Sequence, residues 1–133
     1  MKAIGRSRAE WVTRYIDVDG RKFRTQFDPG AQNSYVVPRV GRLLVTSKLS
    51  SAYRCQLGGR SQRVTQAALL EADIEGHRIS TFAFVIDDIG KDEGGETIEV
   101  LVGVLAMRQW GIHLIPDQNG LDLSLYPRMI VEF

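Results

Sequence analysis

Apolar and polar positions alternate most cleanly between Arg21 and Phe27. Phe23, Thr25 and Phe27 fall on one face, and Lys22, Arg24 and Gln26 on the other. A period of two marks a half-buried strand. The segment before it, Glu10 to Val18, is rich in aromatic and β-branched residues, as strands are. Asp19-Gly20 joins the two, and both positions of that pair suit the positive φ of a tight hairpin turn. The pattern therefore predicts a hairpin whose second strand ends at Asp28.

Beyond this hairpin the signals are strands and turns. Tyr35-Val36-Val37 stays extended up to Pro38. Val40 to Val45 is apolar but interrupted by Gly41 and Arg42, and no element type follows from it. Lys48-Leu49-Ser50-Ser51 reads as a loop. Ser51 to Leu57 leads into Gly58-Gly59, a second hairpin break. Ser61 to Ile74 contains helix formers, yet its place between turns predicts a strand. Glu75-Gly76-His77 is a turn, and Arg78 to Ile86 is a strand. Asp87 to Glu96 is an acidic, glycine-rich loop, and Thr97 to Val102 an apolar strand. Val104 to Trp110 has the composition of a short helix, which Gly111 stops as glycine commonly does. Ile112–Ile115 and Leu121–Leu125 flank a turn at 116–120, and Met129–Phe133 forms a short closing strand. Short strands separated by turns at this spacing predict an all-β domain.

At 133 residues the chain fits one domain, expected over 10–133 with residues 1–9 frayed. No apolar run approaches the roughly 20 residues that span a bilayer, and no apolar leader follows Met1, so no membrane partner is expected. The single Cys55 cannot build an internal disulfide framework, and a cytoplasmic setting is expected. Net charge is +1, but residues 1–63 hold 13 Lys/Arg against 4 Asp/Glu, and residues 64–133 hold 4 against 12. Either the halves interleave and neutralise one another, or one face is basic and attracts an acidic peptide or a nucleic acid. The arginines lack the interleaved aromatics that stack bases, so nucleic acid is not expected. Cys55, His77 and His113 have no metal-ligand spacing, and the 117–120 turn lacks a calcium-loop pattern. No metal and no cofactor is expected.

Two stretches carry the candidate chemistry. One is Phe27-Asp28-Pro29-Gly30-Ala31-Gln32-Asn33-Ser34-Tyr35-Val36. The other is Val100-Leu101-Val102-Gly103 followed by the 104–110 helix. Asp-Pro-Gly alone is an ordinary surface turn. Together the stretches resemble the retropepsin-like aspartic proteases, in which an Asp-Thr/Ser-Gly-Ala loop is answered later by apolar residues, a glycine and a short helix. The ending Leu121–Phe133 looks like that of the small bacterial and archaeal aspartyl protease-like proteins of this group. Asp28, Gly30, Ala31 and Ser34 match the loop, and Val100, Leu101, Val102 and Gly103 match the later element.

The resemblance implies a closed-barrel acid protease fold with one short helix near 104–110. It implies Asp28 as the catalytic residue, with Pro29, Gly30, Ala31 and Ser34 forming the active-site loop. The Ser51–Ile74 hairpin would be the flap over a peptide or protein substrate, touching it through Leu57, Gly58 and Gly59. A chain with one such Asp supplies half of a carboxylate pair, so activity implies a homodimer, with Met129–Phe133 and the N-terminal region helping form its interface. Pro29 departs from the family pattern, since it has neither the expected hydroxyl nor an N–H. A non-catalytic peptide-binding or dimerisation module on the same fold is therefore the alternative. A β-domain unrelated to proteases, with Asp28 in a surface turn, is the third reading.

Overall fold

The computed structural model describes residues 11–127; the expected frayed segment 1–9 and the closing strand at 129–133 lie outside them. Strands β1 (Val12–Val18) and β2 (Arg21–Phe27) form the expected hairpin, with Val12 opposite Phe27 and Val18 opposite Arg21. Asp19 and Gly20 at its turn have φ of 52° and 77°, the paired left-handed conformation that matches strand twist. Phe23, Thr25 and Phe27 are all buried, as the alternation requires.

The chain continues through β3 (Ser34–Val36), a four-residue helix α1 (Pro38–Gly41), β4 (Val45–Leu57), β5 (Arg60–Ile74), β6 (His77–Val85) and β7 (Val100–Val102). Helix α2 (Val104–Trp110), β8 (His113–Ile115) and β9 (Gly120–Asp122) complete it. The main sheet has seven strands in the order β1-β2-β7-β3-β6-β5-β4. Strand β1 also meets β5, Asp17 opposite Asp73, so the strand path closes on itself. Strand β7 runs parallel to β2 and antiparallel to β3. Its three residues are all buried, which explains a continuous apolar run in place of alternation. The main core gathers Ile16, Phe23, Phe27, Leu70, Ile79 and Val100 among others. A smaller cluster holds Tyr35, Val64, Ile86 and Leu101.

The fold is all-β, as expected, and α2 occupies the expected residues. Three expectations need correction. Lys48–Ser51 is not a loop but part of β4, which among the described residues pairs with β5 alone and shifts register between Lys48 and Tyr53. A one-sided edge strand with a bulge has no buried face to impose alternation. The untyped Val40–Val45 holds the end of α1 and the start of β4. Helix α1, absent from the expectation of a single helix, begins at Pro38, whose fixed φ and missing N–H suit a first helical turn. The 97–102 strand is ordered as β7 only from Val100.

The uneven charge is resolved by interleaving. Arg14 pairs with Glu75 at 2.8 Å, Arg24 with Asp92 at 2.8 Å, Arg60 with Asp88 at 2.7 Å, and Arg39 with Glu99. Each pair joins the basic first half to the acidic second half.

Candidate active site

Strand β2 delivers Asp28 to the middle of the molecule, where β7 meets it. The Asp28 N–H donates to Val102 O at 3.0 Å, extending the β2–β7 ladder by one residue. Asp28 is 0% exposed, the one acidic residue buried as a whole among the described residues. Burying a carboxylate is expensive unless its oxygens are hydrogen-bonded. Here the Gly30 N–H donates to Oδ1 at 2.8 Å, and the Gln26 side-chain amide donates to Oδ2 at 3.2 Å. The Ala31 N–H closes the turn onto Asp28 O at 3.2 Å.

The loop after Asp28 is fastened to the start of α2. Gly103 N–H donates to Ser34 Oγ at 3.1 Å. Val104 N–H donates to Ala31 O at 2.7 Å, and Leu105 N–H to Gln32 O at 3.1 Å. The first amides of a helix lack partners within it, and here the loop carbonyls supply them. The approach leaves no room at position 103, where a Cβ would lie 2.2 Å from Asn33 O. The two stretches singled out in the sequence are thus one structural unit.

Pro29 is exposed on the outer side of this loop. It lines a cavity of about 480 Å³ with Val104, Met107, Arg108, Ile112 and Leu114. Gly30 contributes its amide, Ala31 and Ser34 their bonds to α2.

The β4–β5 hairpin turns at Gly58 and Gly59, with φ of 61° and 79°. Leu57 and Cys55 pack against the smaller cluster that includes Tyr35 and Leu101. Near the tip the hairpin is clasped to the loop after β6. Gln62 Nε2 donates to Asp88 O at 2.7 Å, Asp88 N–H donates to Gln62 Oε1 at 3.3 Å, and Arg60 pairs with the Asp88 carboxylate. The Arg60 hydrogen bond holds the Asp88 carboxyl below its ordinary range.

Residues outside this unit take structural positions. Burial pushes the Cys55 thiol up, which opposes formation of the reactive thiolate. His77 packs edge-on to Tyr126, and His113 is exposed. Trp110 donates to Ser80 O at 2.8 Å and stacks on Tyr126. Among the described residues no group of three His, Cys, Asp or Glu side chains could hold a metal. Asp92 of the acidic loop is not solvated: its side chain is 7% exposed and sits against Arg24.

Gln26 is the site residue that sequence reading missed. Alternation marked it only as facing away from the core. Its position two residues before Asp28, on the same side of the strand, is the signal that places its amide beside the carboxylate.

No protein-family model and no curated protein matches the chain. Solved structures do. The retroviral protease-like domain of Ddi1 from Leishmania major superposes with a TM-score of 0.61 at 16% identity, covering 86% of this chain and 88% of that one. EIAV protease, in complex with the inhibitor HBY-793, superposes with a TM-score of 0.52 at 17% identity, covering 77% and 90%. The fold is therefore retropepsin-like, as the two sequence stretches imply.

Proposed function

We propose that this retropepsin-like chain is an aspartic endopeptidase acting as a homodimer, with one Asp28 from each subunit. The observation that carries this reading is the fully buried Asp28 carboxylate, held by Gly30 and Gln26 on a loop locked to α2. Two donors satisfy a carboxylate that burial would otherwise penalise. Peptide hydrolysis without a metal needs a base for water and an acid for the leaving amine. Two carboxyl groups a few Å apart cannot both ionise, so they share one proton and serve as both. Each chain provides one, and a two-fold axis through the loop supplies the second. The catalytic cycle then runs through three steps. Water between the two carboxyls loses a proton to the ionised one and attacks the scissile carbonyl. The protonated carboxyl donates to the nitrogen. Collapse of the tetrahedral intermediate releases the amine. Because no surface of Asp28 meets solvent in the single chain, the cleft must open before a peptide reaches it. The β4–β5 hairpin, with Leu57, Gly58 and Gly59 at its end, is the proposed flap.

Cleavage of a denatured protein at acidic pH, lost in Asp28→Asn with the melting temperature retained, is the expected result. Activity that survives this substitution would falsify the reading. Pro29 favours a second reading, a peptide-binding or dimerisation module without catalysis, because it offers neither hydroxyl nor N–H across a two-fold axis. Cleavage that appears only after Pro29→Thr identifies the natural chain as the binder. The proposed setting of either form is cytoplasmic.

A further inference from the structure

The register of the β4–β5 hairpin sorts its residues by face. Tyr53 stands opposite Val64, Cys55 opposite Gln62, and Leu57 opposite Arg60. Partners across a strand pair share a face, and so do residues two apart. Tyr53, Cys55, Leu57, Arg60, Gln62 and Val64 therefore look one way, and Arg54, Ser61 and Arg63 the other. The first face is the inner one. Val64 is 0% exposed, and Cys55 and Leu57 pack on the cluster that holds Tyr35, Ile86 and Leu101 and takes in Ala31 of the Asp28 loop. Tyr35, Leu101 and Gln26 form one row across β3, β7 and β2, and Gln26 bonds the Asp28 carboxylate. The hairpin thus lies over the approach to Asp28.

Most of β4 is exposed, and a Cβ on Gly58 or Gly59 would meet nothing within 4 Å. What ties the hairpin down near its tip is polar. Gln62 Nε2 donates to Asp88 O at 2.7 Å, and Gln62 Oε1 accepts from the Asp88 N–H at 3.3 Å. The side-chain amide pairs with Asp88 as the backbone of a neighbouring strand would. Arg60 meets the Asp88 carboxylate at 2.7 Å. Backbone donor, backbone acceptor and side chain of one residue are all engaged by the hairpin. The loop that carries Asp88 is itself anchored. Ile86 N–H donates to Val36 O at 2.9 Å, and Asp92 is held by Arg24 at 2.8 Å.

We propose that Gln62 and Arg60 form the latch of a gate. By gripping Asp88 they hold the hairpin closed over Asp28 within one subunit, and a peptide enters through the fraction of molecules in which the latch is released. The word gate rests on the protease reading; the latch on the hairpin does not. A ligand that enters only the open form binds with an apparent affinity reduced by the open fraction. Weakening the latch therefore speeds peptide capture while leaving Asp28 and its loop as they are. The Arg60 pair is exposed and contributes little. The Gln62 amide satisfies two backbone groups and contributes more.

Cys55 is the single thiol of the chain and sits on the inner face. Its rate of reaction with fluorescein maleimide, a bulky reagent, reports opening of the full chain at fixed pH, with melting temperature as the folding control. Gln62→Ala is expected to speed labelling about fivefold, and Arg60→Ala about twofold. Loss of the Arg60 cation disfavours the thiolate, so a faster reaction there is not a charge effect. Arg60→Asp and Asp88→Arg each speed labelling, and the two combined return it to within about twofold of the unaltered rate. Unchanged labelling in Gln62→Ala, or a double reversal as fast as the single ones, overturns the latch. Cleavage of fluorescein-labelled casein, well below saturation, separates the two readings. Faster labelling with no Asp28-dependent cleavage in any variant removes the protease and leaves the latch. Asp28-dependent cleavage that is no faster in Gln62→Ala removes the gate and leaves the protease.

Discussion

Gly103 shows how tightly the site is drawn. Its missing side chain lets the Asn33 carbonyl approach where a Cβ would stand at 2.2 Å, and the atom in the way is backbone. Gly103→Ala is expected to lower stability by about 3 kcal/mol, at the upper end for overpacking, read as a shift of the urea midpoint. Ser34→Ala tests the same junction from the other side. It leaves the Gly103 N–H buried without its acceptor, a loss of about 1–3 kcal/mol. Both substitutions act on Asp28 through its loop, so on the protease reading proposed above cleavage falls along with stability. At this scale the sequence made Asp28, Gly30 and Ser34 legible because they sit in one contiguous motif. It did not reveal that Ser34 caps Gly103, or that Gln26 reaches the carboxylate, because those contacts depend on register and side-chain direction.

The elements were legible where the instructions are local. Asp19-Gly20, Gly58-Gly59 and Glu75-Gly76 all adopt positive φ, and the residue types announce it. Gly111 ends α2 at φ 65° for the same reason. Lys48–Ser51 was misread because the edge strand β4 imposes no burial pattern. Most of the acidic 87–96 loop is exposed, but the docking of Asp92 within it was not legible, because its partner Arg24 lies far away in sequence. That docking has a pH dependence. The Arg24 hydrogen bond holds the Asp92 carboxyl below its ordinary value of 3.8. A depressed folded value means the stabilisation is complete above the unfolded value and is lost as pH falls through the folded one. Urea denaturation should therefore show stability falling below pH 3.8, with a shallower fall in Asp92→Asn. The clasp on the hairpin tip behaves alike, since Asp88 is also depressed through Arg60. Arg60→Ala should speed hydrogen exchange at Gln62 and Asp88 while leaving the β1–β2 hairpin unchanged.

For the whole molecule, the closure between β1 and β5 sets two carboxylates opposite each other, Asp17 and Asp73. Each is answered by its own cation, Lys22 at 3.0 Å and Arg78 at 3.4 Å. Exposed pairs of this kind contribute little, so the ring is held by its apolar interior. Strand β7 completes that interior by inserting between β2 and β3, which precede it by more than sixty residues. Contacts so distant in sequence form late, because the loop between them must close first. Pulse-labelled hydrogen exchange should find the amides of Asp28, Gly103 and Val104 becoming protected together, after those of the β5–β6 hairpin. For a chain proposed to cut proteins this order has a temporal consequence. While the polypeptide is still emerging from the ribosome, Asp28 is already made, but nothing exists to hold its loop. On that proposal, the loop is held only once residues 102–105 arrive, so a chain still being made cannot cut itself or its neighbours by the order in which it is written.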